Sequence, residues 1–144
     1  MTLGLADKAE KLMLNNKNCN CSQAILATYG DHLGIDNDTC LKIASAFGGG
    51  LAGTGYICGA LTGASMVLGL KYWNTKGEDP LKINKATQKL FNEFSSLNGS
   101  IICRELINHD LMTDEDIQQA YKIGAFKNCP KFVKDSAQIL EKLL

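Results

Sequence analysis

The sequence has no C-x-x-C pair, no H-E-x-x-H, no G-x-S-x-G elbow and no Walker lysine behind its glycines. Each absence removes the local signature of a chemistry: zinc knuckle or ferredoxin run, zincin, serine hydrolase and nucleotide phosphatase. Net charge is also absent, since Lys plus Arg and Asp plus Glu stand at 15 each. No long-range field then draws the chain toward nucleic acid or an anionic membrane, and neither is expected as a partner. Strand-type alternation of β-branched residues is scarce, which argues against a sheet. Finally, no charged residue occurs from Ile43 to Leu70. Such a run could be taken for a membrane span, but Gly48, Gly49, Gly50, Gly53 and Gly55 interrupt it. A lipid-facing backbone cannot leave that stretch unpaired, so the expectation is a buried helix entered through a glycine loop, without membrane insertion.

What is present fits one globular domain spanning 1–144, with 45% hydrophobic and 21% charged residues and no low-complexity tract. Met1 to Leu14 mixes Asp7, Lys8, Glu10 and Lys11 into its apolar residues, which is a helix pattern and not a signal-peptide core. A cytoplasmic location is the resulting expectation. In a reducing compartment, six cysteines serve as thiols, metal ligands or catalytic groups rather than as permanent bridges.

Apolar residues recur at helical spacing almost throughout, and an all-α, single-domain compact bundle follows. A first helix is expected from Leu5 to Leu14. A second starts near Asn20 and stops between Gly30 and Gly34, and a third, capped by Asp36 or Asp38, continues through Phe47. After the glycine loop, a nearly uncharged helix from Tyr56 to Trp73 should lie at the centre, covered on all sides. Beyond the polar break from Asn74 to Pro80, a long helix should run from Leu81 to Asn108, with Gly99 as a point of bending or interruption. Thr113 with Asp116 forms a capping box for a short helix ending near Ile123. Pro130 occupies a favoured first-turn position in the last helix.

Cys21, Cys58 and Cys129 each fall at or just before a predicted helix start. Unpaired amides and the positive end of the helix dipole favour a thiolate there, the form that attacks disulfides and binds metals. Lys127 and Lys131 near Cys129, and Arg104 after Cys103, add to that bias. Taken singly, each cysteine is better explained as a small buried hydrophobe. The segment Gly48 to Gly53 matches G-x-G-x-x-G in letters, but it follows a helix and lies in no βαβ unit. Its glycines instead allow the backbone to turn sharply beside a neighbour or a bound group. Gly59, Gly63 and Ala64 give the central helix a small-residue side, for close packing or for room beside Cys58. His32 and His109 stand outside any metal spacing and read as surface or capping residues.

The run Phe47-Gly48-Gly49-Gly50, the core Cys58-Gly59-Ala60-Leu61-Thr62-Gly63-Ala64, Cys103-Arg104-Glu105-Leu106, a late Cys129 and the opening Cys21-Ser22-Gln23-Ala24 together form a specific combination. It resembles the family of small candidate redox-active proteins named for its C_GCAxxG_C_C cysteine pattern. The resemblance implies a helical protein with four characteristic cysteines, matched here by Cys21, Cys58, Cys103 and Cys129. It also implies an association with oxidoreductase and transport functions, and an iron-sulfur cluster has been suggested for such proteins. Cys19 and Cys40 fall outside the pattern and are taken as packing thiols, with Cys19 near enough to Cys21 to compete for its role.

Three functions follow as expectations. The first is electron transfer through an iron-sulfur cluster held by the four cysteines. Gly48, Gly49, Gly50, Gly59 and Gly63 would border that cofactor, and zinc or no metal are the alternatives. The second is a metal-free dithiol-disulfide oxidoreductase in which a thiolate such as Cys58 attacks and another cysteine resolves. The third is a noncatalytic binding or assembly module with packing cysteines. The electron-transfer partner is unnamed by the sequence, and a homodimer is left open.

Overall fold

A computed structural model describes residues 4–74, 76 and 79–144. Its elements are α1 (Leu5–Asn15), α2 (Cys21–Gly30, running into a 3-10 turn at Asp31–Leu33), α3 (Asn37–Ile43), α4 (Gly59–Tyr72), α5 (Pro80–Asn98), α6 (Cys103–Leu106), α7 (Asp114–Ile123) and α8 (Cys129–Leu143). The expected all-α fold is present, and the described residues form no strand beyond one antiparallel bridge, Ile57 with Ile102.

Helices α2, α4 and α8 pack on one another at the centre, with α1 against α2 and α8, α3 against α2, and α5 against α4 and α8. The charge-free stretch explains this order. Helix α4 buries Ala60, Leu61, Ala64, Val67 and Leu68 with no accessible surface, and small residues rather than large ones make its closest contacts. A methyl group added at Gly63 would stand 2.7 Å from the Ser22 carbonyl oxygen, and one at Gly59 would stand 3.0 Å from Cys21 Cβ. Helix α8 is fixed to the same helix by Ser136, whose buried hydroxyl donates to the Ala60 carbonyl at 2.8 Å. The covering of α4 is incomplete: Met66, Gly69 and Leu70 remain partly accessible and border an apolar groove with Trp73.

Caps account for most boundaries. Asn20 and Gln23 form a reciprocal capping box on α2, and their side-chain amides also donate to the carbonyls of Ser45 and Leu41, holding α2 to the segment before the glycine loop. Asp36 caps α3, and Thr113 with Asp116 forms the expected box on α7.

Two helices end earlier than their apolar spacing predicts. Helix α3 stops at Ile43, not Phe47, because the Ser45 and Phe47 amides close on the Lys42 and Ala44 carbonyls, three residues back where the helix needs four. Helix α5 stops at Asn98, not Asn108, because Gly99 takes a left-handed φ of 87° and its amide closes on Ser95. The chain after Gly99 is then free to pair with Ile57 and to open α6 at Cys103. The helix expected from Tyr56 opens instead at Gly59, since Tyr56 and Cys58 bond across to Cys103 and Ile101.

The close approach of α4 to α2 gives a paired test. Gly63→Ala should destabilise the chain by about 1–3 kcal/mol, because its methyl group meets backbone that cannot step aside. Gly69→Ala, in the same helix with nothing within 4 Å, should stabilise it by about 0.5–1 kcal/mol. Urea denaturation of both variants measures this, and equal effects would contradict the packing described.

Candidate functional site

Cys21 is the first residue of α2, Cys58 the cap of α4, Cys103 the first residue of α6 and Cys129 the first residue of α8. Four helix starts thus bring four cysteines, far apart in sequence, to the wall of one cavity of about 480 Å³. Three local devices produce the convergence. Gly59 allows the first turn of α4 to touch the first turn of α2, so Cys58 and Cys21 become neighbours. The Ile57–Ile102 bridge, extended by the Cys58 amide to Ile101 and the Cys103 amide to Tyr56, sets Cys58 and Cys103 diagonally on one face of the paired segments. Pro130 supplies the first turn of α8, which sets Cys129 on the same cavity wall as Cys21.

The glycine loop closes part of the cavity. Gly49, Gly50, Leu51, Ala52 and Gly53 all have positive φ, from 53° to 75°, an uninterrupted left-handed stretch. At Leu51 and Ala52, which carry a Cβ, this costs about 1–2 kcal/mol each. Hydrogen bonds from Gly53 to Gly48, Gly55 to Gly49 and Tyr56 to Gly50 hold the turn. Such strain persists only where the surroundings enforce it, and here it lies beside the thiols.

Of the glycines assigned to cofactor binding, Gly48, Gly49 and Gly59 line the cavity. Gly50 is instead buried against Cys103, where a Cβ would stand 2.7 Å from that residue's own Cβ, and Gly63 faces α2. Cys19 also lines the cavity, which sequence pattern alone did not assign to it; its position two residues before Cys21 was the available signal. Cys40 lies elsewhere, packed in the core under Gly30. His32 and His109 are not part of the lining, and His109 pairs through its ring with the Asp110 carbonyl. The apolar lining residues Leu106, Leu111, Ile117, Phe126 and Phe132 carried no sequence signal beyond helical periodicity.

All six cysteines are free and buried. Their acidities depart from the helix-start expectation. Burial pushes the Cys58 thiol up to about 12, although the amides of Ala60 and Leu61 oppose it as the helix dipole argument requires. Burial likewise pushes Cys103 up to about 11, with nearby Cys129 adding to the rise, and Cys19 up to about 11. Desolvation therefore outweighs the helix start at these positions. Among the four, only Cys129 is shifted down, because its interaction with the neighbouring Cys21 thiol outweighs the opposing effect of burial. The same interaction raises Cys21 well above the ordinary thiol value, with burial and the sulfurs of Cys129, Cys58 and Cys103 acting in the same direction. The expected cations play no part in these shifts: Lys131 reaches Asp135 and Asn98, and Arg104 lies over the Tyr56 ring. Among the described residues, no group of three His, Cys, Asp or Glu is spaced to hold a single metal ion.

The family model described as "Putative redox-active protein (C_GCAxxG_C_C)" matches residues 19–143, a span that includes all four cavity cysteines of the pattern. The chain belongs to this family. A protein of Archaeoglobus fulgidus, described as uncharacterized, is 30% identical over 132 residues, covering 82% of this chain and 87% of that protein. No solved structure matches the chain. The C_GCAxxG_C_C pattern thus gains a spatial meaning in this member, since its four cysteines all face one cavity. No helix of the described residues is long and apolar enough to cross a membrane.

The raised thiols make stability depend on pH in a fixed direction. In the unfolded chain Cys58 and Cys103 lose their protons near the ordinary value of 9.0, but in the folded chain only near 12 and 11. Unfolding then releases protons, so their contribution is complete below pH 9 and falls as pH rises toward 11 and 12. Denaturation midpoints measured from pH 8 to 11 should decline less steeply for Cys58→Ala than for the unaltered chain. Parallel declines would contradict the burial of that thiol.

Proposed function

We propose that this C_GCAxxG_C_C protein is a thiol redox protein in which Cys129 and Cys21 cycle between dithiol and disulfide. The observation that carries this reading is that Cys21 and Cys129, each the first residue of its helix, line one cavity, where the neighbouring Cys21 pulls the Cys129 thiol below its ordinary value. Cys129 is then the attacking sulfur, in place of the Cys58 expected from sequence, and Cys21 resolves. A thiolate attacks and a neighbouring thiol completes the exchange, which is the order that thiol-disulfide chemistry requires. Leu106, Leu111 and Phe132 border the same space, and Cys58 and Cys103 present further reduced sulfurs to it.

A second reading is favoured by those two sulfurs. Among the described residues, five thiols, Cys19 included, and no carboxylate or imidazole line the cavity, a donor set suited to an iron-sulfur cluster. Cys21, Cys58, Cys103 and Cys129 would hold it, and a bound cluster would supply one-electron transfer.

Equilibration of the reduced chain in glutathione buffers of graded ratio tests the first reading. A single two-electron transition joining Cys21 to Cys129 is expected, abolished by Cys21→Ser or Cys129→Ser and retained in Cys40→Ser. Independent oxidation of separate thiols would contradict it. Purification and reconstitution without oxygen, followed by iron and sulfide analysis, tests the second. Stoichiometric iron and sulfide lost on replacing any of the four cysteines would support the cluster, and colourless metal-free protein would end that reading.

A further inference from the structure

The cavity around the thiols is chemically uneven, and we propose that it admits a small disulfide with an apolar body and an anionic end, and excludes the disulfides of folded proteins. This rests on the dithiol-disulfide reading above. Its size, about 480 Å³, lies within the range of small-molecule sites. Cys21, Cys58, Cys103 and Cys129 retain only 8%, 4%, 7% and 6% of their surface. Sulfurs at that depth are reached by a molecule that enters the cavity. A disulfide on the surface of a folded protein would require the helix starts to part before its sulfur came into bonding distance.

The lining sets the polarity of the guest. Segments from α6 to α8 contribute Leu106, Leu111, Ile117, Phe126 and Phe132. The turn between α1 and α2 contributes Asn16, Lys17, Asn18 and Asn20, and the strained loop adds backbone at Gly48 and Gly49. No carboxylate lines the cavity, and Lys17 is its one charged side chain among the described residues. An anionic group finds a cation and amide donors there. A cationic group finds no counter-charge and is repelled by Lys17, and an apolar or aromatic body has the leucine and phenylalanine side chains to cover it.

The chemistry balances without an added reductant in a single turnover. The Cys129 thiolate attacks one sulfur of the guest, forming a mixed disulfide and releasing the other half as a thiolate. Cys21 gives up its proton to that departing thiolate and attacks Cys129 Sγ, forming the Cys21–Cys129 bond and releasing the second half, which takes a proton from solvent. The guest gains the two electrons that the dithiol loses.

The test uses the whole chain, reduced without oxygen, in single-turnover reactions quenched by alkylation and read by mass spectrometry of the Cys21–Cys129 linkage. Dithiobis(2-nitrobenzoate), cystamine and insulin serve as anionic aromatic, cationic aliphatic and protein disulfides. Each rate is divided by that of the same disulfide with free N-acetylcysteine, which removes the leaving-group effect. The normalised rate for the aromatic dianion should exceed that for cystamine by at least about tenfold, with insulin slower than either. Lys17→Glu should shrink the ratio, and Ile117→Asn should lower the rate with the aromatic probe. Equal normalised rates, an unchanged ratio in Lys17→Glu, or insulin reacting as fast as the small probes would overturn this inference. Diamide, a small neutral oxidant, separates the two claims: if it fails to join Cys21 to Cys129, the dithiol reading itself fails.

Discussion

The contact on which the site depends is the approach of α4 to α2 through Gly59 and Gly63. With no side chain at either position, the Ser22 carbonyl and Cys21 Cβ lie where a methyl group would otherwise be. The first turns of both helices are therefore superposed at one level, and Cys21 and Cys58 lie on the same cavity wall. Everything else is added to that pair. The Ile57–Ile102 bridge brings Cys103, and α8, held to α4 through Ser136, brings Cys129. The glycine loop threads between Asn20 and Cys103, and only near-bare backbone passes there. The small residues are thus the means by which distant cysteines become one group.

Once gathered, the thiols are governed more by desolvation than by the helix termini that carry them. A helix start supplies partial positive charge, but the same packing that positions Cys58 removes it from water, and burial prevails. The exception is informative. Cys129 is held down not by Lys127 or Lys131 but by the neighbouring thiol of Cys21, brought to the same cavity by the packing of α2 and α8. The acidity of these thiols is accordingly a property of helix packing.

Much of this was legible in the residues and some was not. Local rules located most helix starts: the box at Thr113 and Asp116, the cap at Asp36 and the proline at 130 are short-range devices whose partners lie within one turn. The spacing of Cys58, Gly59 and Gly63 marked the close-packing face of α4. Ends of helices were less legible, since apolar periodicity continues past Ile43 and Asn98, and only the cap hydrogen bonds stop them. The opposed shifts of Cys21 and Cys129, the cavity position of Cys19 and the separate places of Gly50 and Gly63 depend on which segments meet in space, and no spacing in the sequence encodes that.

The sulfurs of Cys21 and Cys129 are neighbours on one cavity wall, with those of Cys58 and Cys103 facing the same space. A sulfur anomalous-difference map from crystals grown and measured under reducing conditions locates all four directly. The account predicts four peaks around one cavity, with the Cys21 and Cys129 peaks within hydrogen-bonding distance. Peaks dispersed into separate parts of the core, with Cys129 remote from Cys21, would contradict it.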